Sequence, residues 1–396
     1  VKRGIFLTIN SYTKNPIHKI TKNHAVEFLK QNRIDEVDTW RKSAQSIADR
    51  VYQRRITFTT NIFLPLTFLC RNACHYCGYR QSEVPKGQEY LKPEKIETIL
   101  ARAKRLRVSE VLITMGDKPE QKYPSAKKWL KTHGFDTTID YTYFIAKKTL
   151  EYELLPHINA GTLTIDDLTR LREVSASIGL MLETTSLRLT HNGFPHDQSP
   201  DKFPEKRKRT IALAGQLKIP FTTGILVGIG ETLEEIVDSL FTLKCLYQEY
   251  QHLQEVIIQN FQPQKDTLMA NSSPPSVELM EKILIVTRHI LPAEVSIQIP
   301  PNLVKGHEKR FLRAGMSDWG GISSISSDYI NPDHTWPLQS ELKQITEEAG
   351  YSLQERLPVY PRYINVDWLS VQIYKLIKHK KLNTRMVIEN GAPGGF

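Results

Sequence analysis

The stretch IPFTTGILVGIGET, residues 219–232, is a continuous apolar and β-branched run ending in a glycine-containing turn. A helix is expected directly after it, from about Thr232 to Tyr250, and Thr232 with Glu235 has capping-box spacing. Apolar residues without alternation mean a strand buried on both faces. A helix straight after such a strand means a parallel crossover.

The same unit recurs along the chain. Upstream, ITFTTNIFLPLT (56–67) reads as a strand. In KPEKIETILARAKRL (92–106), Ile96, Ile99, Leu100 and Ala103 fall at i, i+3, i+4 and i+7, with Pro93 and Glu94 where a helix start favours them. EVLITMG (110–116), LLPHINAG (154–161) and ASIGLMLETTS (176–186) are further strands. Downstream come EVIIQNFQP (255–263) and VSIQIPPNL (295–303), with helical SVELMEKILIVTRHIL (276–291) between them. Seven or eight such units over about 280 residues predict an α/β fold, a TIM-type (β/α) barrel, full or partial. An open doubly wound sheet is the alternative. Polar and small residues gather just after each strand, which is where barrel enzymes build their sites. The expected division is a helical N-terminal extension over 1–55, a barrel over 56–361, and a basic C-terminal helix and tail over 362–396. From about residue 305 the pattern is irregular, and RAGMSDWGGISSISSDYINPDHTWP (313–337) either closes the barrel or caps the site.

The 396 residues are 40% hydrophobic and 24% charged, ordinary values for a globular chain. No apolar run approaches the roughly 20 residues of a membrane helix, and the opening VKRGIFLTIN lacks a signal peptide's apolar core. A cytoplasmic protein without a membrane partner is expected. The net charge of +10 is read as a basic, solvated surface. The densest cluster, Lys206 to Arg209, lacks the interleaved aromatics of a nucleic-acid platform, so no nucleic-acid partner is expected.

Three of the four cysteines fall in FLCRNACHYCGY (68–79): Cys70, Cys74 and Cys77, spaced C-x3-C-x2-C. Clustered thiols outside a disulfide framework bind metal or do chemistry. Structural zinc wants four ligands, and a four-thiolate cluster the same number. Here His75 is poorly placed to reach the same metal, and Cys245, predicted in mid-helix, is assigned to packing. A [4Fe–4S] cluster on three thiolates leaves one iron open.

That spacing, with aromatic Tyr76 before the last cysteine, resembles the radical S-adenosylmethionine superfamily. The resemblance implies that S-adenosylmethionine chelates the open iron. It places MGDKPE (Met115 to Glu120) at the methionine amino group, with Gly116, Asp117, Lys118 and Pro119 binding cofactor; Asp117 stands where relatives carry Glu. The same residues also suit a simple turn. GILVGIGET, with Gly228, Gly230 and Glu231, resembles the strand beside the adenine, and Glu183 a polar contact to the cofactor. Further blocks (LLPHINAG, GLMLETTSLRL, EVIIQNFQP, IPPNL, DWGGIS, RLPVYP) are similar to the deazaflavin synthases, in particular the ring-closing subunit. This implies radical cyclisation of a hydroxybenzyl–ribityldiaminouracil adduct. The implied partners are a separate subunit that makes the adduct, engaged transiently, and a reductant such as ferredoxin or flavodoxin. Substrate candidates are Asn159, Arg188, Gln259, Asn260 and Asn302, with His157 and Asp318 as proton acceptors; for each the alternative is to support a neighbouring side chain or cap a loop. Competing readings are the partner synthase, a menaquinone-pathway relative, or a non-catalytic metal protein holding RNA.

Overall fold

A computed structural model describes residues 20–390, with side chains described through residue 380. The opening VKRGIFLTIN and the tail after residue 390 lie outside the described residues. Eight parallel strands form the ring: β1 (Arg55–Pro65), β2 (Glu110–Thr114), β3 (Pro156–Asn159), β4 (Ser177–Gly179), β5 (Phe221–Val227), β6 (Leu253–Asn260), β7 (Ser296–Gln298) and β8 (Asp318–Ile322). Each pairs with the next, and β1 pairs with both β2 and β8, so the ring closes. β8 lies inside the irregular region, so that stretch does close the barrel.

Local chemistry explains the elements. All seven residues of β5 are buried, as a strand covered on both faces requires. The helix after it, α8 (Leu233–Tyr250), starts with Glu235 N–H donating to Thr232 Oγ1 at 3.2 Å and Thr232 N–H donating to the Glu235 carboxylate at 2.8 Å. The helix after β1, α3 (Pro93–Arg105), buries Ile96, Leu100 and Ala103. Other helices around the ring are α4 (Pro124–Thr132) and α5 (Thr138–Glu151) between β2 and β3, α6 (Ile165–Val174) between β3 and β4, α7 (Pro204–Gln216) between β4 and β5, and α9 (Val277–Ile290) between β6 and β7. Cys245 is exposed, contrary to the packing role expected of it. The buried stripe of α8 is Ile236, Val237, Leu240, Leu243 and Tyr247, and Cys245 falls off it.

The N-terminal helices α1 (Lys22–Lys30) and α2 (Ile34–Tyr52) lie on the outer helices, tied by Lys30 to Glu234 at 3.0 Å and Arg41 to Glu281 at 2.6 Å. Among the described residues no helix is long and apolar enough to cross a membrane.

A ninth strand, β9 (Ser352–Glu355), pairs with the start of β1, outside the ring. The chain beyond it plugs the N-terminal end of the barrel. Arg356 meets Glu255 at 2.7 Å and Asp318 at 2.5 Å, Tyr360 donates to Asp318 at 2.8 Å, and Ser177 donates to the Pro358 carbonyl at 2.7 Å. Burial and the charge of Asp318, opposed by Arg356, push Glu255 up to about 8. Asp318 therefore belongs to a buried ionic floor, because as first residue of β8 it faces the end of the barrel away from the cysteines. His157 sits in the same lower layer. It bonds Ser177 at 2.6 Å and Asn159 at 3.2 Å, and burial lowers its pKa.

Candidate active site

The cysteine loop leaves β1 at the C-terminal end of the barrel and is fastened to the loop after β2. Gly116 N–H donates to Thr67 O at 3.0 Å, Arg71 N–H to Asp117 O at 3.0 Å, and Asp117 N–H to Cys70 Sγ at 3.2 Å. A Cβ on Gly116 would stand 1.9 Å from the Leu69 carbonyl and 2.8 Å from Cys70 Cβ, so only glycine lets the two loops touch.

Cys70, Cys74 and Cys77 line one cavity of about 260 Å³. Burial, then the neighbouring Cys74, pushes the Cys70 thiol up to about 12 and that of Cys77 up to about 11. Ligation by these thiols must displace those protons. Among the described residues no three His, Cys, Asp or Glu side chains are gathered around a single ion position. Three thiols in one cavity are one ligand short of the four that structural zinc takes, and match a cluster that keeps one iron open.

Asp117 lines the same cavity. Its carboxylate fills the space left by Gly161, where a Cβ would come within 2.4 Å of it. Oδ2 accepts from Thr162 N–H at 3.2 Å, while buried Oδ1 accepts no hydrogen bond and has the Lys118 ammonium only at 3.9 Å. Burial and nearby Asp201 push this carboxyl up to about 6 against the pull of Lys118. An orphaned, buried acceptor beside three thiols fits an incoming cationic donor. Lys118 itself turns away. It has a left-handed backbone and donates to Thr162 O at 2.5 Å and Thr162 Oγ1 at 3.0 Å. Pro119 is buried as the first residue of a single 3₁₀ turn.

Glu183 also borders the cavity, but both its oxygens are engaged. One oxygen pairs with Lys202 and, at 3.4 Å, with Arg207; the other meets the Tyr76 hydroxyl and, at 3.2 Å, His196. Burial alone would raise this carboxyl, yet Lys202 and Arg207 outweigh it and hold it well below the usual range. Glu183 therefore fixes Tyr76 and the loop rather than offering a free acceptor.

The remaining sequence candidates divide. Asn159 and Gln259 line the cavity. The others are structural. The Glu231 carboxylate folds back onto Gly228 N–H at 2.5 Å and Ile229 N–H at 2.9 Å. Gly228 and Gly230 both have positive φ, and a Cβ on Gly228 would meet Pro275 at 2.7 Å. Arg188 pairs with Glu235 at 2.8 Å, Asn260 donates to Leu303 O at 3.1 Å, and Asn302 donates to Asp328 at 2.9 Å.

Several cavity residues escaped sequence reasoning. Arg207 was counted among solvated charges, yet it is buried, donating to Met181 O at 2.6 Å as well as facing Glu183. Its signal is helix phase: Arg207 falls on the same face of α7 as Pro204, Ile211 and Ala214, the face that is buried. Lys202, Met181, Gln264, Ile330 and Asn331 also line the cavity. The last two come from the irregular stretch, which Asp328 folds over the site by accepting from Ile330 and Asn331 N–H at 2.9 and 3.1 Å. That stretch thus caps the cavity as well as closing the ring.

Comparison with known proteins agrees with this geometry. The family model described as the Radical SAM superfamily matches residues 64–243. A 7,8-didemethyl-8-hydroxy-5-deazariboflavin synthase of Methanocaldococcus jannaschii is 44% identical over 359 residues, 90% of this chain and 98% of that protein. One from Methanopyrus kandleri is 41% identical over 82% of this chain and 97% of its own length. An FO synthase of Streptomyces coelicolor is 42% identical over 78% of this chain but only 36% of its own length. In fold alone the chain resembles the [FeFe]-hydrogenase maturase HydG, with TM-score 0.73 at 16% identity over 96% of this chain and 93% of that one. It likewise resembles methylornithine synthase, with TM-score 0.65 at 20% identity over 86% and 95%. A closed (β/α)8 barrel with three clustered thiols, matched along nearly the full length of such relatives, places the chain in the 7,8-didemethyl-8-hydroxy-5-deazariboflavin synthase family of radical S-adenosylmethionine enzymes, whose cofactors are a [4Fe–4S] cluster and S-adenosylmethionine.

Proposed function

We propose that this chain is the ring-closing half of FO synthase, a carbon–nitrogen lyase of deazaflavin biosynthesis. It converts 5-amino-5-(4-hydroxybenzyl)-6-(D-ribitylimino)-5,6-dihydrouracil and S-adenosylmethionine to FO, ammonia, methionine and 5′-deoxyadenosine. The observation that carries this reading is coverage. The chain matches two 7,8-didemethyl-8-hydroxy-5-deazariboflavin synthases over 97–98% of their length but only 36% of a longer FO synthase, as one half of a two-part enzyme would. Its blocks GDKPE and LPHINAG, which resemble the ring-closing subunit, favour that half.

When bound, the cluster and S-adenosylmethionine supply a 5′-deoxyadenosyl radical. The chain supplies the rest. Cys70, Cys74 and Cys77 would hold the cluster, and Asp117 Oδ1 would accept a hydrogen bond from the methionine amino group. Asn159 and Gln259, projecting from β3 and β6, take hydrogen bonds from the uracil and ribityl groups. Leu180, Met181, Leu226 and Phe261 are the apolar walls that keep water from the radical. His157 and Asp318, below the cavity and committed to other partners, are not assigned the proton transfer. A separate subunit delivers the adduct and a ferredoxin or flavodoxin delivers electrons, in the cytoplasm.

The test is anaerobic reconstitution with iron and sulfide, then dithionite, S-adenosylmethionine and the adduct, following deazaflavin fluorescence and 5′-deoxyadenosine. Both products are expected. Deoxyadenosine without the fluorophore would move the substrate elsewhere.

A further inference from the structure

A second cavity, of about 480 Å³, lies on the other side of the cysteine loop. Arg71 lines it, while its neighbours Cys70 and Asn72 line the thiol cavity; Lys118 lines it, while Asp117 lines the thiol cavity. The wall between the two spaces is therefore the backbone of these two loops. Its charge lining is four cations, Arg71, Lys118, Lys206 and Arg209, against the single carboxylate of Asp201. Leu163, Ile165 and Leu213 form an apolar part of the lining, with Ile165 46% exposed.

The cations are of two kinds. The inner pair is spent, since Arg71 grips Asp201 through two nitrogens and Lys118 donates to Thr162. The outer pair is free. Lys206 and Arg209 stand three residues apart on α7, are exposed, and form no ion pair among the described residues. Their neighbours are accounted for, Lys208 with Glu205 at 2.5 Å and Arg207 with Glu183. A small anion deep in the cleft would find its donors already taken. The unspent charge sits at the rim, beside exposed apolar surface, which is the layout of a protein interface.

We propose that this cleft docks an acidic one-electron carrier protein, whose carboxylates meet Lys206 and Arg209. The proposal rests on the cofactor reading above. The carrier loses one electron, the cluster across the loop wall gains it, and no bond or proton changes at the docking surface. Docking on this side leaves the substrate cavity unobstructed. Opposite charge at the rim also steers the encounter and makes it salt-dependent.

The test pairs the charge-reversed double variant K206E/R209E with K42E/R50E, the same charge change on exposed residues of α2. A flavodoxin serves as probe, its affinity measured by titration with the cluster-free and the reconstituted chain. K206E/R209E is expected to weaken binding by about tenfold or more at low salt. The difference should shrink at about 0.5 M salt, where charges are screened beyond a few ångströms. K42E/R50E should bind like the parent chain, and 5′-deoxyadenosine formation driven by dithionite should be unchanged in both. Equal affinity for parent and K206E/R209E, or equal loss in both variants, overturns the proposal. So does binding of inorganic phosphate in the cleft by a chain that ignores flavodoxin. Normal docking with deoxyadenosine but no fluorophore would leave this proposal standing and sink the ring-closing assignment alone.

Discussion

The Tyr76 hydroxyl, one residue before Cys77, donates to Glu183, which lies 107 residues further along the chain. Glu183 holds a left-handed backbone, φ 66°, to present its carboxylate there, and Lys202 and Arg207 neutralise it. The cysteine loop is thereby pinned across the mouth of the barrel. Tyr76→Phe removes the hydroxyl's hydrogen bonds to Glu183 and His196 and should lower stability by about 1–2 kcal/mol. Glu183→Gln strands buried Arg207 and half-buried Lys202 and should cost about 3–5 kcal/mol. Urea unfolding of both variants checks the order; a larger loss for Tyr76→Phe would contradict the ion-pair account.

Gly116→Ala tests the loop contact. The new methyl would collide with the Leu69 carbonyl, which is backbone and has no rotamer to escape through. Overpacking of this kind costs about 1–3 kcal/mol, and here the strain falls on the residue before Cys70. Iron retained after reconstitution and gel filtration should drop well below that of the parent. Gly134→Ala, whose Cβ meets nothing within 4 Å but which has positive φ, should lose some stability and keep its iron.

Cys74→Ala should abolish the cluster's visible absorbance and 5′-deoxyadenosine formation together. Cys245→Ser, changing an exposed thiol on the outer face of α8, should change neither. Loss of iron in Cys245→Ser would mean that a fourth protein thiolate reaches the cluster.

The ionic floor gives a pH dependence of stability. Glu255 is pushed up to about 8 in the folded chain, from an ordinary value of 4.5. The folded state thus holds this proton more tightly than the unfolded state. Its contribution is complete below the unfolded value and is lost as pH rises towards about 8. Thermal midpoints should fall between about pH 5 and about pH 8, and Glu255→Gln, which cannot ionise, should flatten that slope. An unchanged slope would mean that Glu255 is already ionised against Arg356 throughout.

Much of this architecture is written locally. The strands, the α8 capping box and the proline start of α3 depend on residues within a few positions of one another, and so does the C-x3-C-x2-C loop. What stayed hidden depends on distant partners. Asp318 looks like any strand-end carboxylate until Arg356 and Tyr360 are seen to claim it. Glu231 looks like a ligand to cofactor until its own loop amides take it. Arg207 looked solvated because charge runs usually are, and only helix phase separates it from Lys206 and Arg209. Cys245 looked buried because free cysteines usually are, and again the phase of a helix decides.

The fork at β1 has a consequence for the order in which this protein can be assembled. Its Thr57 bonds Asp318, 261 residues later, and its first residues pair with β9 beyond that. During synthesis β1 and the cysteine loop emerge early, yet the ring stays open until residues 318–355 arrive to flank β1. Non-local closure of this kind is slow and leaves strand edges exposed meanwhile. The thiols therefore emerge beside an unfinished sheet and stay open to oxidation until residues 318–355 complete it.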